Sequence, residues 1–166
     1  MTPPNEGSCT THATPLGTVL LCASDQGLAG LWFDGQRHHP APDRVAGWSV
    51  DPAQPLLRAA VAQLDDWFSG RRTAFDLPLD LSGGTGFQQQ VWRALLDIPP
   101  GQTRSYRDLA QAIGRPRAVR AVGAAVGRNP LSILVPCHRV LGSDGSLTGY
   151  AGGLNRKRAL LRLETD

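Results

Sequence analysis

Cysteine is scarce: the chain has three in 166 residues, Cys9, Cys22 and Cys137, and none forms a CxxC pair. An odd number without paired spacing disfavours a secreted disulfide scaffold and a four-cysteine zinc site. Aromatic residues are thin at 6%, and there is no long apolar run. The longest stretch without a charged side chain, residues 7–24, is interrupted by Thr, Ser, His and Pro. Such a stretch suits neither a membrane-spanning helix nor the core of a signal peptide, so the expected setting is the cytoplasm, with no membrane role. What is present argues for a folded protein. With 41% hydrophobic and 19% charged residues, a chain of this length buries a core without staples and forms one or two compact domains.

Charge is divided unevenly. Residues 1–82 carry five basic and nine acidic side chains, whereas 83–166 carry twelve basic and five acidic. Six arginines lie between Arg104 and Arg128 with only Asp108 as counter-charge. The second half is therefore expected to meet a polyanion, the plainer alternative being a solvated basic face.

The first dozen residues are polar and contain proline, and read as a frayed tail before an ordered fold that starts near Pro15. Two β-prone runs, 18–23 and 28–33, joined by Ser24-Asp25-Gln26-Gly27, predict a hairpin. From Asp51-Pro52 onward Leu56, Leu57, Ala60, Val61, Leu64, Trp67 and Phe68 recur at helical spacing until Gly70. Phe75, Leu77, Leu79 and Leu81 then alternate as in a half-buried strand, and Ser82-Gly83-Gly84 reads as a linker. The second half reads as mainly helical. Thr85 with Gln88 makes a capping box, Ser105 caps a short helix ended by Gly114, and Pro116 is placed to open another helix. Two helices across one Gly-containing turn suggest a helix-turn-helix, whose second member carries Arg117, Arg120 and Arg128 among small residues. The fold class expected is α+β. An amino-terminal domain (1–82), a small antiparallel sheet plus helix, precedes a mainly helical domain (83–166) that contains the helix-turn-helix.

The most informative segment is Pro136-Cys137-His138-Arg139-Val140, which follows the apolar and, by its composition, extended run 131–135. A cysteine after an apolar run is often only a buried thiol. Here His138 and Arg139 follow it, and cations near a sulfur favour the nucleophilic thiolate. A Cys/His pair also suggests a cysteine protease or acyltransferase, but those draw the two residues from distant parts of the chain. Adjacent residues of an extended segment point to opposite sides, so His138 reaches Cys137 only through a sharp turn or a bridging water.

Taken with Arg120-Ala121-Val122-Gly123, Asn129-Pro130 and Gly149-Tyr150-Ala151-Gly152-Gly153-Leu154, this segment resembles the O6-alkylguanine-DNA alkyltransferases, also called methylated-DNA–protein-cysteine methyltransferases. Phe87-Gln88-Gln89-Gln90-Val91-Trp92, Ile98-Pro99, Gly101 and Thr103-Arg104-Ser105-Tyr106 extend the likeness over about residues 86–164 in one register. In the first half only Pro15-Leu16-Gly17 and Gln26-Gly27-Leu28 resemble that family's amino-terminal domain.

The resemblance implies a DNA-repair protein that moves the alkyl group of O6-alkylguanine, and of O4-alkylthymine, in double-stranded DNA to its own Cys137, once per molecule and without a cofactor. It implies that His138 activates Cys137 through a water and is oriented by Glu164, and that Tyr106 gives a proton to the departing base. The base must be flipped out of the duplex. Arg120 corresponds to the finger that fills the gap, and Asn129 to a hinge. Tyr106, Arg107, Arg115 and Ser143 fall at DNA contacts, and Val140, Tyr150, Ala151 and Gly152 at the base pocket. The partner implied is DNA, bound by a monomer, with cooperative assembly on DNA left open. Two departures stand out. Many relatives have Ser where this chain has Ala151, and the zinc site of some relatives is not matched by the register of Cys9, Cys22, His12, His38 and His39, so no metal is expected. The rival reading is a non-catalytic reader of alkylated DNA or a helix-turn-helix regulator. The presence of Cys137 favours the enzyme.

Overall fold

The computed structural model describes residues 7–40 and 47–165. Its first part is a four-stranded sheet of β1 (Ser8–Thr14), β2 (Gly17–Ala23), β3 (Leu28–Phe33) and β4 (Ser49–Val50), in the order β3-β2-β1-β4. β1, β2 and β3 are antiparallel neighbours, while β4 adds two residues parallel to the start of β1. The expected β2–β3 hairpin is present. Of the expected tail, residues 8–12 belong instead to β1, while residues 1–6 lie outside the described residues. Polar side chains do not prevent strand formation when a tight turn folds the segment back on an apolar partner. Here the Thr14 hydroxyl donates to Gly17 O at 2.6 Å and accepts from Leu16 N at 3.2 Å, which closes that turn.

This register sets Cys9 directly opposite Cys22, with a Cα–Cα distance of 4.2 Å, and the two sulfurs meet as a cross-strand disulfide. The sequence, read only as disfavouring a disulfide scaffold, did not anticipate this single pair. Spacing along the chain carried no signal because the pairing follows from the hairpin register.

Helix α1 (Pro55–Phe68) buries Leu57, Ala60, Leu64 and Trp67 against the sheet. It starts later than Asp51-Pro52 suggested. Gln54 is its cap, accepting from Leu57 N at 2.8 Å, and Asp51 instead closes the preceding turn through Ala53 N. The alternating segment 75–81 is no strand but makes one isolated bridge, Leu79 to Leu28. Pro78 removes a ladder donor in its middle, and only Leu28 N to Pro78 O (2.8 Å) and Asp80 N to Leu28 O (2.7 Å) hold it to the edge of β3. The glycine-rich link after it is anchored too. Asp80 accepts from Ser82 N and Oγ, and a Cβ on Gly84 would lie 2.3 Å from the Trp92 ring.

The second part runs through α2 (Gly86–Leu96), β5 (Arg104–Ser105), α3 (Tyr106–Ala112), α4 (Val119–Gly127), a 3-10 turn at Cys137–Arg139, β6 (Val140–Leu141) and α5 (Leu154–Thr165). The expected Thr85–Gln88 capping box forms, and Ser105 caps its helix through a second box with Asp108. Gly114, at φ 74°, ends the first helix of the helix-turn-helix, as a left-handed residue must be. Pro116 does not open α4. It sits in the intervening turn, and the helix begins three residues later at Val119 without a side-chain cap. Trp92 Nε1 donates to Ala125 O at 2.8 Å and locks α2 to α4.

One main core joins both parts, with Leu21, Leu31 and Phe33 of the sheet in the same cluster as Trp92, Val122, Ile133, Val140 and Leu160. Cys9, Cys22, Ala29, Trp32 and Trp48 form a small second cluster on the other face of the sheet. Among the described residues no helix is long and apolar enough to cross a membrane.

Candidate functional site

Placement of Cys137 begins at the sheet edge. β3 is outermost, and beyond the bridge to Leu79 its free edge holds the chain that leads to the cysteine. Leu31 N donates to Pro130 O at 2.8 Å, and Ser132 N donates to Leu31 O at 3.1 Å. The run 131–135, expected to be extended, instead turns on itself, with Val135 N donating to Leu131 O at 2.9 Å. Buried Ile133 takes the left-handed φ of 72°, a conformation that a β-branched residue adopts only when its surroundings impose it. Asn129 imposes much of it. Its Nδ2 donates to Val135 O (2.8 Å) and Leu131 O (3.3 Å), and its Oδ1 accepts from Leu131 N (2.9 Å). The residue read as a hinge is thus a clamp on both ends of the turn. The chain then enters the 3-10 turn that presents Cys137.

Behind Cys137 lies a buried charged cluster. His138 Nε2 donates to Glu164 Oε1, and Arg139 forms a bidentate pair with the same carboxylate at 2.8 and 2.9 Å while donating to Ile98 O at 2.6 Å. The side chains of His138 and Glu164 are 0% and 2% exposed. Arg139 and His138 hold the Glu164 carboxyl at about 2 despite burial. Burial outweighs Glu164 at His138 and lowers its pKa, so the imidazole is neutral. With its Nε2 hydrogen spent on Glu164, Nδ1 is an acceptor without a protein partner.

These contacts correct the idea that His138 and Arg139 charge the sulfur. Arg139 is turned away to Glu164, and His138 is uncharged. Burial pushes the Cys137 thiol up, opposed by a hydrogen bond from Asn129 and by the charge of Lys157. Lys157, the chain's one lysine, is fully buried in α5 and donates to Thr148 O (2.9 Å) and Gly149 O (3.1 Å). Burial lowers it to about 8, so it remains mostly an ammonium at neutral pH.

In front of Cys137 opens a cavity of about 270 Å³, lined by Tyr106, Gly123, Ala124, Tyr150 and Ala151 among others. Tyr106 donates to Thr148 O at 3.1 Å, so one carbonyl joins α3 to Lys157. Burial raises the Tyr106 pKa, which keeps its proton in place at neutral pH. Buried Tyr150 OH has no hydrogen-bond partner in the protein. Gly152 lies beneath the Tyr150 ring, where a Cβ would come within 2.7 Å of it. Gly152 and the fully buried Val140 therefore sit behind the wall rather than in it, unlike Tyr150 and Ala151.

Arg107, Arg115, Arg120 and Ser143 are all exposed, and Arg115 stacks over the Phe87 ring at 5.8 Å. Besides Lys157, sequence reasoning passed over Arg37, and it named His38 only as a possible zinc ligand and Arg128 only on the basic helix; all three reach the cavity. Arg37 N donates to Ala151 O at 2.9 Å, so the backbone of the first half steadies the pocket wall. The residues weighed for zinc disperse. His12 pairs with Asp65, His38 lies at the cavity, and among the described residues no group of three or more His, Cys, Asp or Glu could hold a metal.

A buried thiol under a cavity, beside a helix-turn-helix with a basic outer face, defines the class of site. The family profiles of 6-O-methylguanine DNA methyltransferase match in two pieces, the ribonuclease-like domain over residues 8–81 and the DNA binding domain over 86–166. The methylated-DNA–protein-cysteine methyltransferase of Mycobacterium tuberculosis is 50% identical over 151 residues, 91% of this chain and 88% of the relative. That of Methanosarcina barkeri is 48% identical over 154 residues, 92% of this chain and 94% of the relative. The crystal structure of Mycobacterium tuberculosis OGT in complex with DNA superposes with a TM-score of 0.85 at 48% identity, covering 96% of this chain and 92% of that one. This chain belongs to the 6-O-methylguanine DNA methyltransferase family.

Proposed function

We propose that this protein repairs DNA by moving the alkyl group of O6-alkylguanine in double-stranded DNA onto Cys137, irreversibly and once per molecule. The observation that carries the proposal is the Cys137 thiol at the cavity, with the His138–Glu164 pair behind it. Residues 1–82 form a bracing unit and 83–166 the unit that binds DNA and accepts the alkyl group. DNA lies across α3 and α4, with Arg107, Arg115 and Ser143 on the backbone and Arg120 in the space left by the flipped nucleotide. The small residues Gly123 and Ala124 let the base pass close to α4.

The chemistry is an in-line displacement. His138 Nδ1 takes the Cys137 proton through a bridging water, and Glu164 stabilises the imidazolium. The sulfur attacks the alkyl carbon, the carbon–O6 bond breaks, and Tyr106 gives its proton to the guanine that leaves. Lys157 provides the positive charge facing the thiolate, and Tyr150 and Ala151 line the base site. The protein works as a monomer, in a compartment that keeps Cys137 reduced, such as the cytoplasm. O4-alkylthymine presents the same kind of O-alkyl carbon and is a second substrate.

The test is intact-mass spectrometry and peptide mapping after incubation with duplex DNA containing O6-methylguanine. One methyl group on Cys137 is expected, and none on Cys137→Ser, which should still bind the DNA. Tight binding by the unaltered chain without any mass gain would instead identify a reader of alkylated DNA.

A further inference from the structure

The Cys9–Cys22 pair lies outside the lining of the cavity at Cys137. We propose that it is a reversible redox staple, a disulfide that forms and opens with the thiol–disulfide balance around the protein and stiffens the sheet that braces Cys137.

Three features carry this. First, the register places the two residues directly opposite each other with Cα atoms 4.2 Å apart. That is close to the separation of a non-hydrogen-bonded cross-strand pair, which keeps the two sulfurs within bonding reach of each other whether linked or not. Secondly, the pair is shielded but reachable. Cys22 is fully buried, Cys9 is 5% exposed, and the strand covering β1 at that point is only the two-residue β4. Local opening at the start of β1 exposes Cys9 without disturbing the main core, to which neither cysteine belongs. Thirdly, the pair is connected to the site through the sheet. β1 pairs with β2, β2 with β3, and Leu31 of β3 holds the Pro130–Ser132 backbone that leads to Cys137.

The oxidant is a small dissolved disulfide such as oxidised glutathione. The Cys9 thiolate attacks one of its sulfurs, and the first small thiol leaves. The Cys22 thiolate then attacks Cys9 Sγ and expels the second. Two protein thiols become one disulfide as one small disulfide becomes two thiols, and reduction is the reverse. Cys137, whose thiol form is favoured by burial, stays free.

The test equilibrates the full chain in glutathione buffers of increasing oxidised fraction, quenches with an alkylating reagent and maps the peptides. A single reversible transition to a Cys9–Cys22 linked peptide is expected, with Cys137 unlinked to either partner. The oxidised form should melt roughly 5–12 °C higher than the reduced one. Cys22→Ala should lose both the linked peptide and the melting shift while transferring alkyl groups as the reduced unaltered chain does. A pair that never links, or that stays linked in the most reducing buffer, would overturn the proposal. So would disulfides that join Cys137 to either residue. None of these results depends on whether Cys137 accepts an alkyl group.

Discussion

The charged side chains packed next to Cys137 and those on the helix-turn-helix surface are treated by the protein in opposite ways. Behind the sulfur His138, Arg139 and Glu164 are buried and bond to one another and to Ile98 O, while His138 Nδ1 has no protein partner. On the surface of the helix-turn-helix Arg107, Arg117 and Arg120 stand exposed, and among the described residues none has a carboxylate within 4.0 Å. The buried set fixes protonation states, because a charge inside the protein is stable only with its partner. The exposed set leaves its charge uncompensated, which is what a phosphate backbone needs. Catalysis and DNA binding should therefore respond to different mutations, pH ranges and salt.

The largest effect is expected at Glu164. Glu164→Gln leaves Arg139 without its counter-ion, and breaking a buried pair of this kind costs about 3–5 kcal/mol. A melting curve at neutral pH measures it, and a loss under about 1 kcal/mol would place the pair among ordinary surface bridges. The pH dependence has a definite sign. Glu164 is held at about 2 against an ordinary 4.5, so the stability it contributes is complete above about 4.5 and lost as pH falls towards 2. Glu164→Gln should flatten that acid limb. Lys157 acts the other way. Lowered from 10.5 to about 8, it is protonated more readily in the unfolded chain, so by itself it makes the fold gain stability as pH rises from about 8 to 10.5.

Tyr106→Phe should come next. It keeps the ring and removes the proton, so DNA binding should hardly change while the single-turnover rate falls on the order of 10²-fold. An unchanged rate would assign Tyr106 to packing alone. The smallest expected effect is at Arg120. Arg120→Ala should slow repair of duplex DNA about tenfold, some 1.4 kcal/mol, with little change for free O6-benzylguanine, which needs no flipping. Equal losses on both substrates would tie Arg120 to the fold and weaken the contrast between the two charged sets. Affinity for undamaged DNA should also fall steeply with added salt for the unaltered chain.

Local signals proved legible where interaction partners are close in the chain. The Thr85/Gln88 box and the Ser105 cap formed because a cap and its third helical residue lie one turn apart. The β2–β3 hairpin followed from two apolar runs and a glycine turn. Cys137, His138, Glu164 and Tyr106 were identified through family resemblance, and the structure does bring His138 to Glu164 across 26 residues. The segment 131–135 was misread because its apolar composition suits a strand equally well. The decision lay with Asn129 and with the edge of β3, nearly a hundred residues earlier.

By itself, then, the sequence determined the order of helices in the second half and the separation of acidic and basic halves. Those depend on near-neighbour spacing and on composition. Tertiary structure decided which groups carry the charge around the sulfur. Arg139 lies two residues from Cys137 in the chain yet is neutralised by Glu164, while the charge of Lys157, twenty residues on, favours the thiolate. It also decided that Cys9 meets Cys22 and that Arg37 steadies Ala151. The reason is physical. Burial and pairing set the protonation of a group, and both depend on which distant segments the core brings together rather than on the residues next to it in the chain.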